Sequence, residues 1–177
     1  MNFSVAMNLI NYGFVLFFGV VSSLYLADIP FWKYKRFYLL TLFCFSLAQL
    51  AFYFFIGENA LYKCYPFLIH IPLILLIRFV CHRSLYLSMI SVLSAYLLCT
   101  PRKWVGTLVS SFAGYDSTVA NLTEVLITLP LLFLVIHYIS PYIIRLKYER
   151  KALLRLFFLL LALYYVLEYG ITVYTNL

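Results

Sequence analysis

Residues Phe37–Ile56 read FYLLTLFCFSLAQLAFYFFI, and none of these side chains is charged. At about 1.5 Å rise per residue, a helix of this length covers roughly 30 Å, the thickness of a bilayer's hydrocarbon core. Within lipid every backbone N–H and C=O must be bonded internally, which leaves helices and closed barrels as the spanning structures. The run lacks the polar–apolar alternation of a barrel strand. It reads as a transmembrane helix.

Five further runs meet the same test. The first covers about Phe3–Ala27 and is closed by Asp28-Ile29-Pro30. The third, Pro66–Cys81, is short and contains Pro72; the fourth, Ser84–Thr100, is stopped by Pro101-Arg102-Lys103. The fifth, Thr118–Ser140, is stopped by Pro141, and the sixth, Leu153–Thr175, follows a basic cluster from Arg145 to Arg155. The segment Val105–Ala113 is too short to span and is expected to lie at the outer interface, anchored by Trp104 and Tyr115. No Lys or Arg precedes the first apolar run and no small-x-small site closes it, so it reads as a retained helix and not a signal peptide.

Composition agrees. Of 177 residues, 66% are hydrophobic and 11% charged, against about 45–50% apolar and 25% charged in a soluble domain. An ordinary soluble enzyme, a disordered tail and a disulfide scaffold are excluded. The expected fold is an all-α polytopic membrane bundle of about six transmembrane helices, one domain over residues 1–177 with no soluble part, and the bilayer is its first partner.

The net charge of +7 is an orientation signal rather than a nucleic-acid footprint. Lys33, Lys35, Arg36, Arg78, Arg83, Arg145, Lys147, Arg150, Lys151 and Arg155 fall on one side of a six-helix arrangement, and only Lys63, Arg102 and Lys103 on the other. The richer side is cytoplasmic by the positive-inside rule, with Arg78 snorkelling to it, so both termini are expected outside the cell membrane.

Ionisable groups within spans are costly and mark candidate sites. Glu124 lies roughly 9 Å into the fifth span from its outer end, Glu168 at a similar depth in the sixth, and His70 about 6 Å into the third. Asn121, Glu124 and Thr128 share one helical face, as do Tyr164, Glu168 and Thr172. With Arg102 and Lys103 in the outer loop to neutralise the carboxylates, His70, Arg102, Lys103, Asn121, Glu124 and Glu168 outline an outward-facing ligand pocket, suited to a cationic or peptide-like signal. The competing reading makes the same residues interhelical glue.

Ser84, Ser88, Ser91 and Ala95 form a small-residue stripe suited to close helix packing, and Gln49 reads as an interhelical hydrogen-bond donor. His82 and His137 are expected near the cytoplasmic face. The four cysteines have no CxxC or zinc-type spacing and read as small apolar residues. Asn121-Leu122-Thr123 matches a glycosylation acceptor inside an expected helix. His70 and Cys81 lie about three turns apart, and Cys81 and His82 point about 100° apart, so no Cys–His pair forms. No HExxH, GxSxG or GxxxxGK[ST] occurs. No catalytic residue, metal site or cofactor is expected in this chain.

Three stretches carry a resemblance: Tyr65-Pro66-Phe67-Leu68-Ile69-His70-Ile71-Pro72-Leu73, Ala95-Tyr96-Leu97-Leu98-Cys99-Thr100-Pro101-Arg102-Lys103-Trp104-Val105-Gly106, and Val173-Tyr174-Thr175-Asn176-Leu177. In order and spacing they resemble the N-terminal membrane region of GHKL-type sensor histidine kinases of bacteria, akin to quorum-sensing peptide receptors. The resemblance implies a sensor of an external small-molecule or peptide signal, followed by a seventh helix and a dimeric ATP-binding kinase module. This sequence ends at Leu177 without a phosphoacceptor His, an Asn-rich ATP box or a glycine-rich lid, so the expectation is a two-component sensory domain cut before the seventh span, a homodimer if joined to its kinase. The alternative is a transport component similar to the six-helix substrate-binding subunits of energy-coupling vitamin transporters. Those carry small-residue docking motifs on the first helix, where this chain offers Gly19, Ser22 and Ser23.

Overall fold

The computed structural model describes residues 3–146 and 151–174. Helix α1 spans Phe3–Leu26 and α2 spans Phe31–Ile56. Helix α3 (Glu58–Tyr65) and α4 (Ile71–Phe79) are joined by a wide π-helical turn, Pro66–His70. Helix α5 covers Leu85–Phe112; α6 (Ser117–Leu134) and α7 (Ser140–Arg145) are joined by a second π turn, Val135–Ile139; α8 is Lys151–Tyr174. Among the described residues six helices are long and apolar enough to cross a membrane, with α3–α4 and α6–α7 each acting as one span.

Both π turns precede a proline, Pro72 in α4 and Pro141 in α7. A proline ring clashes with the carbonyl four residues back and offers no N–H, and widening the preceding turn makes room for it. This corrects the fifth span. Pro141 does not stop it, and the helix continues to Arg145.

Two further boundaries move. The third span begins at Glu58, one residue after α2 ends, because Gly57 (φ 102°) takes a backbone conformation that lets the chain reverse at once. Its polar first turns are not a loop, since Asn8 and Tyr12 of α1 both bond Glu58. The fourth span runs straight through Pro101 to Phe112, so Val105–Ala113 is not a separate interfacial segment but the end of α5 and its cap. An internal proline costs about 3 kcal/mol. Here Thr100, Arg102, Gly106 and Ser110 on the same helix are all buried against neighbours, which offsets it. Trp104 and Tyr115 are exposed. The sixth span starts at Lys151; Lys147, Arg150 and Thr175 lie outside the described residues.

Apolar side chains both fill the centre and cover the outside. Helices α1 and α5 form the centre, with Phe18, Val20 and Leu24 of α1 fully enclosed. Helices α2 and α8 lie at the periphery and turn Leu39, Leu40, Phe43, Leu159, Leu160 and Leu163 outward, as lipid-facing helices do. Ser88, Ser91 and Ala95 are buried, and the two hydroxyls bond back to Ser84 and Leu87 carbonyls at 3.0 and 2.6 Å. Satisfied in this way, they leave a smooth face for close approach. Gln49 is buried too, with its Oε1 accepting no bond among the described residues.

The turns at the lysine- and arginine-rich end are cross-braced. Arg83 donates to the Asp28 carbonyl and sits 3.7 Å from its carboxylate, and Arg78 donates to the Arg83 carbonyl at 2.8 Å. Tyr38 donates to the Ile29 carbonyl. His82 lies in the turn before α5 with φ 53°, and His137 in the second π turn stacks on Phe133. At the other end Asp116 caps α6 by accepting from the Thr118 N–H at 2.7 Å.

Candidate functional site: a cavity within the bundle

A cavity of about 370 Å³ runs between the central helices. Helix α1 lines it with Asn8, Asn11, Tyr12, Val15, Gly19 and Ser23, residues three or four apart and therefore on one face. The third span contributes Tyr62, Tyr65, Ile69, His70 and Leu73, and α5 contributes a run from Val92 to Lys103. Glu124 of α6 and Glu168 and Tyr169 of α8 complete the wall.

The strongest polar feature is built on Arg102. Its side chain is 1% exposed and its Nη2 donates to Asn11 Oδ1 at 2.6 Å and to Glu124 Oε2 at 3.4 Å. Asn11 in turn donates to Glu124 Oε2 at 2.9 Å and to Asn121 Oδ1 at 2.8 Å. Three helices are thus tied by one guanidinium, one carboxylate and two amides. A buried cation is tolerable only with such partners, because taking it out of water costs several kcal/mol. Gly106, one turn beyond Arg102, makes the geometry possible. A Cβ there would lie 2.8 Å from Glu124 Cγ and 3.1 Å from the Ala120 carbonyl oxygen.

A second cluster is aromatic. His70 Nδ1 lies 2.7 Å from the Tyr165 hydroxyl, and the His70 ring meets Tyr65, Tyr96 and Tyr165 edge-on. The Tyr96 ring also meets Tyr165 edge-on, with centroids 4.8 Å apart. Tyr169 donates to the Tyr62 carbonyl and to that of Lys63 at 3.3 Å, fastening α8 to α3. At the Gly57 end the Lys103 ammonium lies over the Tyr62 ring, 5.7 Å from its centroid, a cation–π arrangement.

Five of the six residues singled out from the sequence line this cavity: His70, Arg102, Lys103, Glu124 and Glu168. Asn121 stands behind it and acts through Asn11. Two details change. Arg102 is not a loop residue but a buried helical one, because α5 does not end at Pro101. His70 is twelve residues from the start of its span, roughly 18 Å instead of 6 Å, so it lies deeper than Glu124 and pairs with Tyr165. On α8 Tyr164 and Glu168 line a small groove together with Leu167 and Ile171, and Glu168 also reaches the cavity beside Tyr169; the Thr172 side chain is outside the described residues.

Sequence reasoning missed Asn11, Tyr12, Tyr65, Tyr96 and Tyr169. Asn8, Asn11 and Tyr12, at i, i+3 and i+4 of an otherwise apolar helix, were the available signal for the first wall, and Tyr165–Tyr169 at i, i+4 for the last. Among the described residues no group of three His, Cys, Asp or Glu side chains is placed to hold a metal.

Comparison with family models, curated proteins and solved structures yields no match to this chain. Fold and site define its class by themselves: a six-helix apolar bundle with a mostly apolar central cavity into which a few ionisable side chains are set.

Proposed function

We propose that the chain is a membrane-embedded signal-receiving domain whose cavity takes up a ligand, and that it serves as the sensory region of a two-component histidine kinase. The observation that carries this reading is the position of the two middle stretches that resemble such sensors. Tyr65–Leu73 supplies one wall of the cavity and Ala95–Gly106 another, with Arg102 and Lys103 among its lining. A cavity bordered by five separate spans is suited to signalling, because a ligand that prefers one arrangement of those spans shifts their equilibrium and hands a small helix movement downstream.

In this proposal the lysine- and arginine-rich end is cytoplasmic and the cavity mouth faces outward. Arg102, buried in a salt bridge, no longer counts as an outer-loop charge, which strengthens the charge bias. The transport alternative is less well supported. The small residues of the first helix face inward, with Ser22 and Ser23 buried and Gly19 lining the cavity, and so offer no docking surface.

The test is a reporter driven by the linked response regulator, comparing the natural protein with Gly19→Leu. Gly19 lines the cavity and a Cβ there meets nothing within 4 Å, so a leucine is expected to extend into the cavity and occupy part of it. Loss of the signal response at unchanged membrane abundance is expected. An unchanged response overturns the reading, as does coding sequence beyond Leu177 that lacks a seventh span and a kinase module.

A further inference from the structure

The cavity is graded along its length. At the Gly57 end its walls include Asn8, Tyr62 and Lys103, which are half-buried or exposed; at the other end they are Ser23, Leu73 and Val92, all buried. The same polar-to-apolar order runs along α1, the third span and α5. Tyr62 to Leu73 and Lys103 to Val92 are each eleven residues, roughly 16 Å of helix. A volume of about 370 Å³ drawn out over that distance is slender, and it sits at the small end of the range for ligand cavities, roughly 300–1,000 Å³. Its shape suits a linear molecule.

Two cationic side chains near the Gly57 end keep open donor capacity. Glu124 is already engaged by Arg102 and Asn11. Lys103 has a tyrosine ring beneath it but no carboxylate within ion-pair distance among the described residues. Arg102 keeps a buried Nε with no acceptor. Both are donors, and both carry positive charge. At the buried end the Ser23 hydroxyl is enclosed without a partner amid apolar side chains.

Building on the reading of the cavity as a ligand site, we propose that its ligand is a linear amphiphile, with an acidic head held at Lys103 and an unbranched apolar tail running between α1, α4 and α5 toward Ser23. The head replaces the ring as the partner of Lys103. The tail meets Val15, Gly19, Ile69 and Val92, none of which asks it for a hydrogen bond.

The test is equilibrium dialysis of labelled straight-chain carboxylates, from hexanoate to tetradecanoate, against the full chain in phosphatidylcholine nanodiscs, with empty nanodiscs subtracted. Affinity is expected to rise about fourfold per methylene and then stop at a fixed length. Gly19→Leu moves that limit to shorter chains. Lys103→Gln weakens every carboxylate about fivefold without moving the limit. Decylamine binds roughly tenfold more weakly than decanoate. If added single-chain lysophosphatidylglycerol competes with decanoate, the acidic amphiphile is a membrane lipid; if it does not, a free acid is the ligand. Absence of saturable binding, or binding indifferent to Gly19→Leu, overturns the inference. Should carboxylates fail to bind while Gly19→Leu still abolishes the reporter response, the cavity senses another ligand and only this inference falls. If both results are negative, the sensing reading falls as well.

Discussion

Gly106 and Glu124 occupy one space between α5 and α6. A methyl group on Gly106 would sit 2.8 Å from the Glu124 Cγ and 3.1 Å from the Ala120 backbone oxygen, and backbone cannot swing aside. The missing side chain is what lets Glu124 reach across to Arg102. Gly106→Ala is therefore expected to destabilise the bundle by about 1–3 kcal/mol, despite alanine's better helix propensity. Thermal unfolding in detergent checks this, and an unchanged Tm would show that the two helices have slack to separate.

The Arg102–Glu124–Asn11 network predicts an asymmetry. Glu124→Ala strands a buried guanidinium and is expected to cost about 3–5 kcal/mol, whereas replacing both charges, Arg102→Met with Glu124→Leu, recovers most of that loss. Glu124→Gln, which keeps an acceptor oxygen near Asn11, falls between. Unfolding free energies of the three variants, compared with the natural chain, decide it. A double variant as unstable as Glu124→Ala would mean that the pair contributes more than mutual neutralisation.

The His70–Tyr165 contact crosses from the third span to α8 at 2.7 Å. Removing either partner conservatively, by His70→Phe or Tyr165→Phe, keeps the ring packing and loses one hydrogen bond worth about 1 kcal/mol. A double-mutant cycle should give a coupling of about 0.5–1.5 kcal/mol. A coupling near zero would show that ring packing alone holds α8 here.

How far the sequence carried the argument differs from element to element. Phe37–Ile56 could be read at once, because lipid demands uninterrupted apolar length and nothing else competes with that demand. Pro101 and Pro141 misled for one shared reason. Punctuation rules describe what a chain prefers locally, and in a bundle the packing of Thr100, Arg102 and Gly106 outweighs a single lost backbone bond. Glu124, Glu168 and His70 stood out because a charge or imidazole in an apolar run is conspicuous. The tyrosines did not, since in a chain with 17 of them each looks like ordinary apolar bulk until its hydroxyl finds a partner.

Cys81 gives a pH-dependent prediction at the lysine- and arginine-rich end. Partial burial raises its thiol pKa above the ordinary value, with the nearby Arg83 guanidinium opposing the shift. The thiolate is the reactive form, so maleimide labelling is expected to be slow at neutral pH and to keep accelerating beyond the pH at which an exposed cysteine levels off. Arg83→Ala removes the lowering influence and should slow labelling further at neutral pH. Rates across a pH series check both statements; labelling as fast as a free thiol's at pH 7 would contradict them.

The central claim is a cavity that opens at the Gly57 end and reaches into the bundle, and Val15, part-way down its α1 wall, reports on it directly. With Cys44, Cys64, Cys81 and Cys99 replaced by alanine, Val15→Cys can be exposed to a small, charged, membrane-impermeant methanethiosulfonate in intact cells, beside Leu163→Cys on the outward face of α8. The account predicts modification at position 15 from the external side and none at position 163. No modification at position 15, or modification only after the cytoplasmic side is opened to the reagent, would contradict it.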